Sequence, residues 1–334
     1  MKIYTIRDIA QQAGVSVTTV SRVLNGRPDV SKETQAKVRK VMAECHFVGN
    51  ANARGLKQAD QAIIAVIIRG RNNPFLAALA EEMLLCDPAG KAALVPEYID
   101  EQDDEFLCAL NLLHRRRVAG LIFVGSRIDS RCEVLADVNL PMVFATVSTL
   151  NTPMERAASV SMDDRKMACA AVGELLRRGH EHIAVFGGSR SGQDSLALRA
   201  LGVQDAFLNA GVPFEEDRYV LTRFTLQDAY SAALNYFQRR LDTTAAFCMS
   251  DTAALGVMRA LCDLNMRVPE DVSVMGVDGI EIGRYTTPRL STIVQPVKEI
   301  ARQSVQVLSD MMKNHSPARH VTVEAQVEMR ESVL

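Results

Sequence analysis

No stretch of the 334 residues comes near the roughly 18 consecutive apolar side chains that a bilayer-spanning helix needs. The N-terminal MKIYTIRDIAQQ sets charges inside a helical pattern where a secretory signal would keep an uninterrupted apolar run. A cytoplasmic protein with no membrane partner is therefore expected. CxxC pairs are also missing. The seven cysteines are scattered and odd in number, which argues for small buried hydrophobes over a disulfide framework or a zinc site. GGSRSG (187–192) lacks the GxxxxGK[ST] spacing and the lysine of a phosphate-binding loop, and no GxSxG sets a nucleophile beside a base. His180 and His182, two apart where a strand begins, point to opposite faces and make a poor metal pair. No cofactor is expected, and nothing marks an enzyme.

What is present is a chain 48% hydrophobic, long enough to bury a sizeable core in two or three domains. The net charge of −2 conceals an asymmetry: residues 1–60 hold ten basic and five acidic side chains, the remainder 28 and 35. A basic head on an acidic body fits a polyanion-binding head.

TIRDIAQQAGVSVTTVSRVLNG (5–26) reads as two short helices and the turn between them. Thr5 and Asp8 form a capping box, with Ile6, Ile9, Ala10 and Ala13 on one face. Gly14 can take the left-handed conformation that ends the first helix, and Ser16 caps a second whose Val20, Val23 and Leu24 face the first. A third helix follows Ser31, with Val38, Val41 and Met42 as its stripe. A helical dimerisation or docking module would share this pattern. The second helix, however, exposes Val17, Thr18, Thr19, Ser21 and Arg22, short groups and one arginine suited to a major groove.

These runs, with VSKETQAKVRKVMAECHF and NANARGLK after them, resemble the DNA-binding head and hinge of the LacI/GalR family of bacterial transcription regulators. The resemblance implies that Val17 and Thr18 touch base edges and Arg22 reaches a guanine, while Ser16, Thr19, Ser21 and Asn25 mainly hold phosphates, Thr5 joining them through its backbone. In NANARGLKQ (50–58) it implies a hinge helix capped by Asn50, too short to hold alone in water. There Leu56 would wedge into the central base step, Ala53 would lie near the groove floor, and Arg54 and Lys57 near phosphates. Gly49 stands where relatives often have proline. A plain linker is the alternative.

From residue 61 onward, apolar strand-like runs alternate with helical stretches: 62–70, 91–99, 118–126, 141–147, 182–189, 218–223, 244–251 and 271–279. Such runs imply parallel sheets covered on both faces, and their repetition implies two similar α/β lobes. NPF (73–75), LRRGHEHIAVFGG (176–188), RALG (199–202), SDTAALGVMRAL (250–261), VPEDVSVMGVDG (268–279) and LSTIVQP (290–296) continue the family resemblance, which implies a periplasmic-binding-protein-like body with a ligand cleft between lobes. The expected organisation is an all-α helix-turn-helix head (1–46), a hinge (47–60) and an effector-binding and dimerisation domain (61–334). Its first lobe would comprise 61–160 and 291–319, its second 161–290 and 320–334. HVTVEAQVE (320–328) alternates like one strand, and no leucine heptads follow it, so a homodimer is expected.

Ligands in open α/β sheets sit beyond the carboxyl ends of the strands. Asp278, Ser250 and Asp251 close strands there, and Arg199 opens RALG. An arginine and an aspartate converging on a cleft can grip vicinal hydroxyls, as the family's sugar binders do. Phe75 and Phe224 could offer aromatic faces, Thr146 ends the fourth strand, and Arg69 and Arg71 exit the first. Plainer roles stay open: Asp251 as a helix N-cap, Phe75 as packing under its loop, Arg69 and Arg71 as surface groups. The expected partners are a pseudo-palindromic operator and a small effector, a sugar or sugar phosphate. The expected function is a ligand-controlled transcriptional repressor. A carbohydrate-binding protein without regulatory DNA binding and a sugar-modifying enzyme are the alternatives.

Overall fold

Residues 6–24, 30–45, 62–88, 92–190, 192 and 194–334 are described by a computed structural model. The chain divides into two compact units between residues 61 and 62.

In the first unit, α1 (Ile6–Ala13), α2 (Val17–Leu24) and α3 (Lys32–Glu44) enclose a small core of Ile9, Ala10, Ala13, Val20, Val23 and Val38. Ile9, Ala10 and Ala13 recur at one-turn spacing, as a buried helical stripe requires. Gly14, at φ +60°, turns the chain between α1 and α2 where a side chain would be strained. Ser16 and Ser31 cap the next two helices, accepting from Thr19 N (3.0 Å) and Thr34 N (3.2 Å). Thr5, Asn25 and the hinge positions Asn50, Ala53, Arg54, Leu56 and Lys57 lie outside the described residues.

The second unit holds two six-stranded sheets built to one plan. The first comprises β1 (Ile63–Arg69), β2 (Ala93–Ile99), β3 (Val118–Val124), β4 (Met142–Ala145), β5 (Ala157–Ser161) and β11 (His320–Thr322), in the order β11-β5-β4-β3-β1-β2. The second comprises β6 (Ile183–Gly187), β7 (Tyr219–Leu221), β8 (Ala245–Cys248), β9 (Ser273–Asp278), β10 (Ser291–Val294) and β12 (Gln326–Glu328), in the order β12-β10-β9-β8-β6-β7. Every pairing is parallel except β10 with β12.

Alternation along β1 shows why both faces are covered. Ile64, Val66 and Ile68 face α4 (Pro74–Leu85) and α10 (Val297–Asn314), whereas Ala65 and Ile67 face α5 (Glu105–Arg115). In the second lobe Ile183 and Val185 pack on α6 (Asp164–Arg177) and α7 (Ser195–Ala210). Ala184 and Phe186 pack on α8 (Leu226–Phe237) and α9 (Asp251–Asp263).

The lobe boundaries differ from the sequence expectation. Strand β10 pairs with β9 in the second sheet, although the sequence places 291–294 in the first lobe. Strand β11 pairs with β5 in the first sheet, although the sequence places 320–322 in the second lobe. HVTVEAQVE is thus two short strands serving different sheets, because the chain crosses over at Val323–Ala325 after two earlier crossings following β5 and β10. No helix among the described residues is long and apolar enough to cross a membrane.

Candidate functional site

The outward side of α2 carries the head's candidate contacts. Val17, Thr18 and Arg22 are exposed while Val20 and Val23 are buried, so the 3.6-residue period that builds the core turns the other residues outward. Ser16 is occupied as a cap and its hydroxyl also meets that of Thr19 at 2.8 Å, which makes both members of a local network at the start of the helix.

In the second unit a cleft of about 290 Å³ opens between the lobes. The strand order reverses at β1/β3 in one sheet and at β6/β8 in the other, and the cleft lies beyond both reversals. Arg69, Phe75, Thr146, Arg199, Phe224, Ser250 and Asp278 all line it. Phe75 is also a core residue of the first lobe, 5% exposed, so little of its ring is left for the cavity. Thr146 follows β4 and Asp278 ends β9, the corresponding strands of the two sheets, and both have positive φ, +80° and +123°. Non-glycine residues in that region store strain, a feature that clusters at ligand sites. The lobes touch here: Ser195 Oγ donates to the Thr146 carbonyl at 2.9 Å.

One open reading is resolved and one expectation is corrected. Arg71, which the sequence leaves open between cleft and surface, is exposed and is not among the residues that line the cleft. Asp251 neither lines it nor caps its helix: Ser250 is the cap, accepting from Ala253 N at 3.1 Å. Asp251 is fully buried behind the wall, where its carboxylate accepts from Ile280 N (2.8 Å) and Thr292 Oγ1 (2.6 Å). It thereby fixes the turn that follows Asp278. Arg69, which sequence left open as a surface group, is instead tied down at the cleft wall. Its Nε lies 3.1 Å from Glu105 Oε2 and its Nη2 donates to the Glu101 carbonyl.

The cleft's charges are held by buried partners. Arg199 donates to Asp164 Oδ1 at 2.8 Å and to the Met249 carbonyl at 2.6 Å. Burial works against its cationic form, but Asp164 and Asp278 outweigh that and keep it a cation. Desolvation raises Asp164 above the usual carboxylate range, with Arg199 opposing. Asp278 is raised well above it by the same cause, against the pull of Arg199, and accepts from Gln295 Nε2 at 2.7 Å. Burial also lifts Asp251 to about 7.

Sequence reasoning missed Glu105, Asp164, Asp194, Arg127, Arg223 and Gln295. Three of the positions behind the walls share a signal. Glu105, Asp164 and Asp251 are each the first residue of a helix (α5, α6 and α9), immediately after the capping residue Asp104, Asp163 or Ser250. The cap satisfies the backbone, which leaves the next carboxylate to turn sideways and hold the wall, where the positive end of the helix favours it. Consecutive D-E, D-D or S-D at a helix start is therefore the legible trace.

Comparison with known proteins agrees with this arrangement. Residues 5–50 match the family model described as bacterial regulatory proteins, lacI family, and residues 172–333 match a periplasmic binding protein-like domain. The HTH-type transcriptional regulator DegA of Bacillus subtilis is 30% identical over 90% of this chain and 88% of its own. The HTH-type transcriptional regulator MalR of Clostridium butyricum is 28% identical over 98% of each. A crystal structure of the lac repressor dimer bound to operator and the anti-inducer ONPF superposes with a TM-score of 0.72 at 25% identity, covering 100% of both chains. With a helix-turn-helix head and a two-lobed body around one cleft, the chain belongs to the LacI family: it is a DNA-binding transcriptional regulator with an effector-binding domain.

Proposed function

We propose that the protein is a repressor whose homodimer binds a pseudo-palindromic operator and whose operator affinity is set by a sugar-like effector between the lobes. Val17, Thr18 and Arg22 read base edges in the major groove, while Ser16, Thr19 and Ser21 hold phosphates. The hinge reading of Asn50, Ala53, Arg54, Leu56 and Lys57 belongs to the same proposal. The lac repressor relative, whose structure is a dimer on operator, supports the same assembly.

The observation that carries the effector reading is the convergence of Arg199 and Asp278 with Phe224 and Phe75 in one cleft of about 290 Å³. That volume is at the small end for small-molecule sites and suits a monosaccharide-sized ligand. The Arg199 guanidinium and the Asp278 carboxyl grip hydroxyls, and the aromatic side chains pack against the ring's C–H groups. Because the cleft is shared, a ligand with different affinity for open and closed lobes shifts their equilibrium, with coupling of about 1–3 kcal/mol.

Selection of operator sequences from random duplex DNA by the full chain tests the first half, and thermal unfolding against a sugar and sugar-phosphate panel tests the second. A ligand at 100 times its dissociation constant adds about 2.7 kcal/mol. Sugar binding without any DNA sequence preference would establish the carbohydrate-binding alternative instead. A palindromic consensus whose affinity falls steeply with salt is the expected result.

A further inference from the structure

Four guanidinium groups line the cleft, enough to suggest a strongly cationic site. Each, however, already faces a carboxylate. Arg69 Nε is 3.1 Å from Glu105 and Arg199 Nε 2.8 Å from Asp164, both pairs buried on their acidic side. The other two pairs bridge the lobes: Arg127 Nε lies 3.9 Å from Asp194, and Arg223 Nη2 3.5 Å from Glu101. Asp278 adds a further carboxyl at the floor.

We propose that these countercharges make the cleft select uncharged polyhydroxylated ligands over their phosphorylated counterparts, with Glu105 as the residue that sets this preference on the first lobe. This deepens the effector reading and rests on it. A guanidinium has five N–H donors and one carboxylate takes at most two of them, so each paired arginine still donates to ligand hydroxyls. What pairing removes is net positive charge. A phosphomonoester carries about −1.5 to −2 at neutral pH and would meet a site with no surplus cation to receive it.

Glu105 is the decisive member because it is 1% exposed and doubly engaged. Beyond Arg69 it accepts from Arg127 N at 2.9 Å, so one carboxylate both neutralises one cleft arginine and fixes the loop that presents another. Glu105→Gln retains an acceptor for Arg127 N, removes the charge and sets an amide NH2 in place of the oxygen that faces Arg69 Nε. The positive charge of Arg69 is then uncompensated and faces the cavity.

The test uses the full-length protein with inorganic phosphate as probe, titrated by calorimetry and by thermal unfolding against chloride at matched ionic strength. Wild type is expected to show no phosphate-specific stabilisation. Glu105→Gln is expected to bind phosphate at least about tenfold more tightly than wild type, a gain abolished in the double variant with Arg69→Met. A purely structural role for Glu105 would lower thermal stability without creating phosphate binding. Glu101→Gln, at a half-exposed position, provides the same readout if Glu105→Gln does not fold, with a smaller gain. Phosphate binding by wild type equal to that of the variants, or no gain in either, overturns the inference. Failure of the effector reading is distinct: no neutral sugar would then stabilise wild type.

Discussion

Replacing Arg199 with alanine removes more than a ligand contact. The guanidinium is 7% exposed and is the cation facing fully buried Asp164. Breaking a buried ion pair from one side leaves an uncompensated charge, which costs about 3–5 kcal/mol. The pH dependence of that cost follows from Asp164, whose folded pKa already lies above its ordinary value of 3.8 because of burial and rises further without Arg199. A carboxyl raised in the folded state holds its proton more tightly there than in the unfolded chain. The resulting stability is fully present below 3.8 and is lost as pH rises through the folded pKa, by about 1.4 kcal/mol per unit of elevation. The deficit of Arg199→Ala relative to wild type is therefore largest near about pH 8 and narrows towards about pH 4. Urea unfolding across that range measures it. Adding Asp164→Leu should restore at least half the loss and reduce the pH dependence, the remainder coming from Asp278, which also loses the pull of Arg199. A deficit below about 1 kcal/mol at high pH, or one insensitive to pH and to the second substitution, would refute the reasoning. The double variant is also the proper background for ligand assays, because there a lost response reports the contact and not the stability.

Arg22→Ala should weaken operator binding by about 1–3 kcal/mol and relax preference at one operator position, which competition binding to single-base operator variants will show; uniform weakening would make Arg22 a phosphate anchor. Thr292→Val removes a hydroxyl bond to Asp251, raising a carboxyl already at about 7. The variant should lose about 1–3 kcal/mol at neutral pH and less near pH 4, where Asp251 is protonated in the folded state of wild type and variant alike, as read by urea unfolding. Gly276→Ala would set a Cβ 2.1 Å from Asp251 Oδ1. It should cost about 3 kcal/mol and lower the calorimetric midpoint by several degrees.

The head and eight of the strands were legible because caps, apolar stripes and continuous apolar runs are local signals. Strands β5 (AASVS) and β10 (STIV) were not: their hydroxyls are buried yet satisfied from far along the chain. Ser159 Oγ meets His320 Nδ1 at 2.8 Å, and Ser291 Oγ accepts from Arg330 N at 2.8 Å. No local pattern announces a partner 161 or 39 positions away. The cleft divides in the same way. Arg69, Arg199 and Asp278 could be read from strand and helix ends, whereas Glu105 and Asp164 look like ordinary helix starts until the fold brings arginines against them. Asp251 shows the converse, since its place at a strand end was legible but its direction was not. The next residue after a cap can face the cavity or the layer behind it, and here it faces the layer.

The crossing at Val323–Ala325 bears on when the protein becomes competent during its own synthesis. Each sheet takes one edge strand from residues 320–328, and Ser332 and Leu334 then bond back to Val274 and Ser273 of β9. These residues are translated after every other element described. Neither lobe can complete its sheet while they remain in the ribosomal tunnel, so a nascent chain whose head has already emerged has no finished effector-binding domain. That domain is complete only after residue 328 is outside, and a chain cut short of β11 would leave both sheets without an edge strand at once and expose unpaired strand edges to other chains.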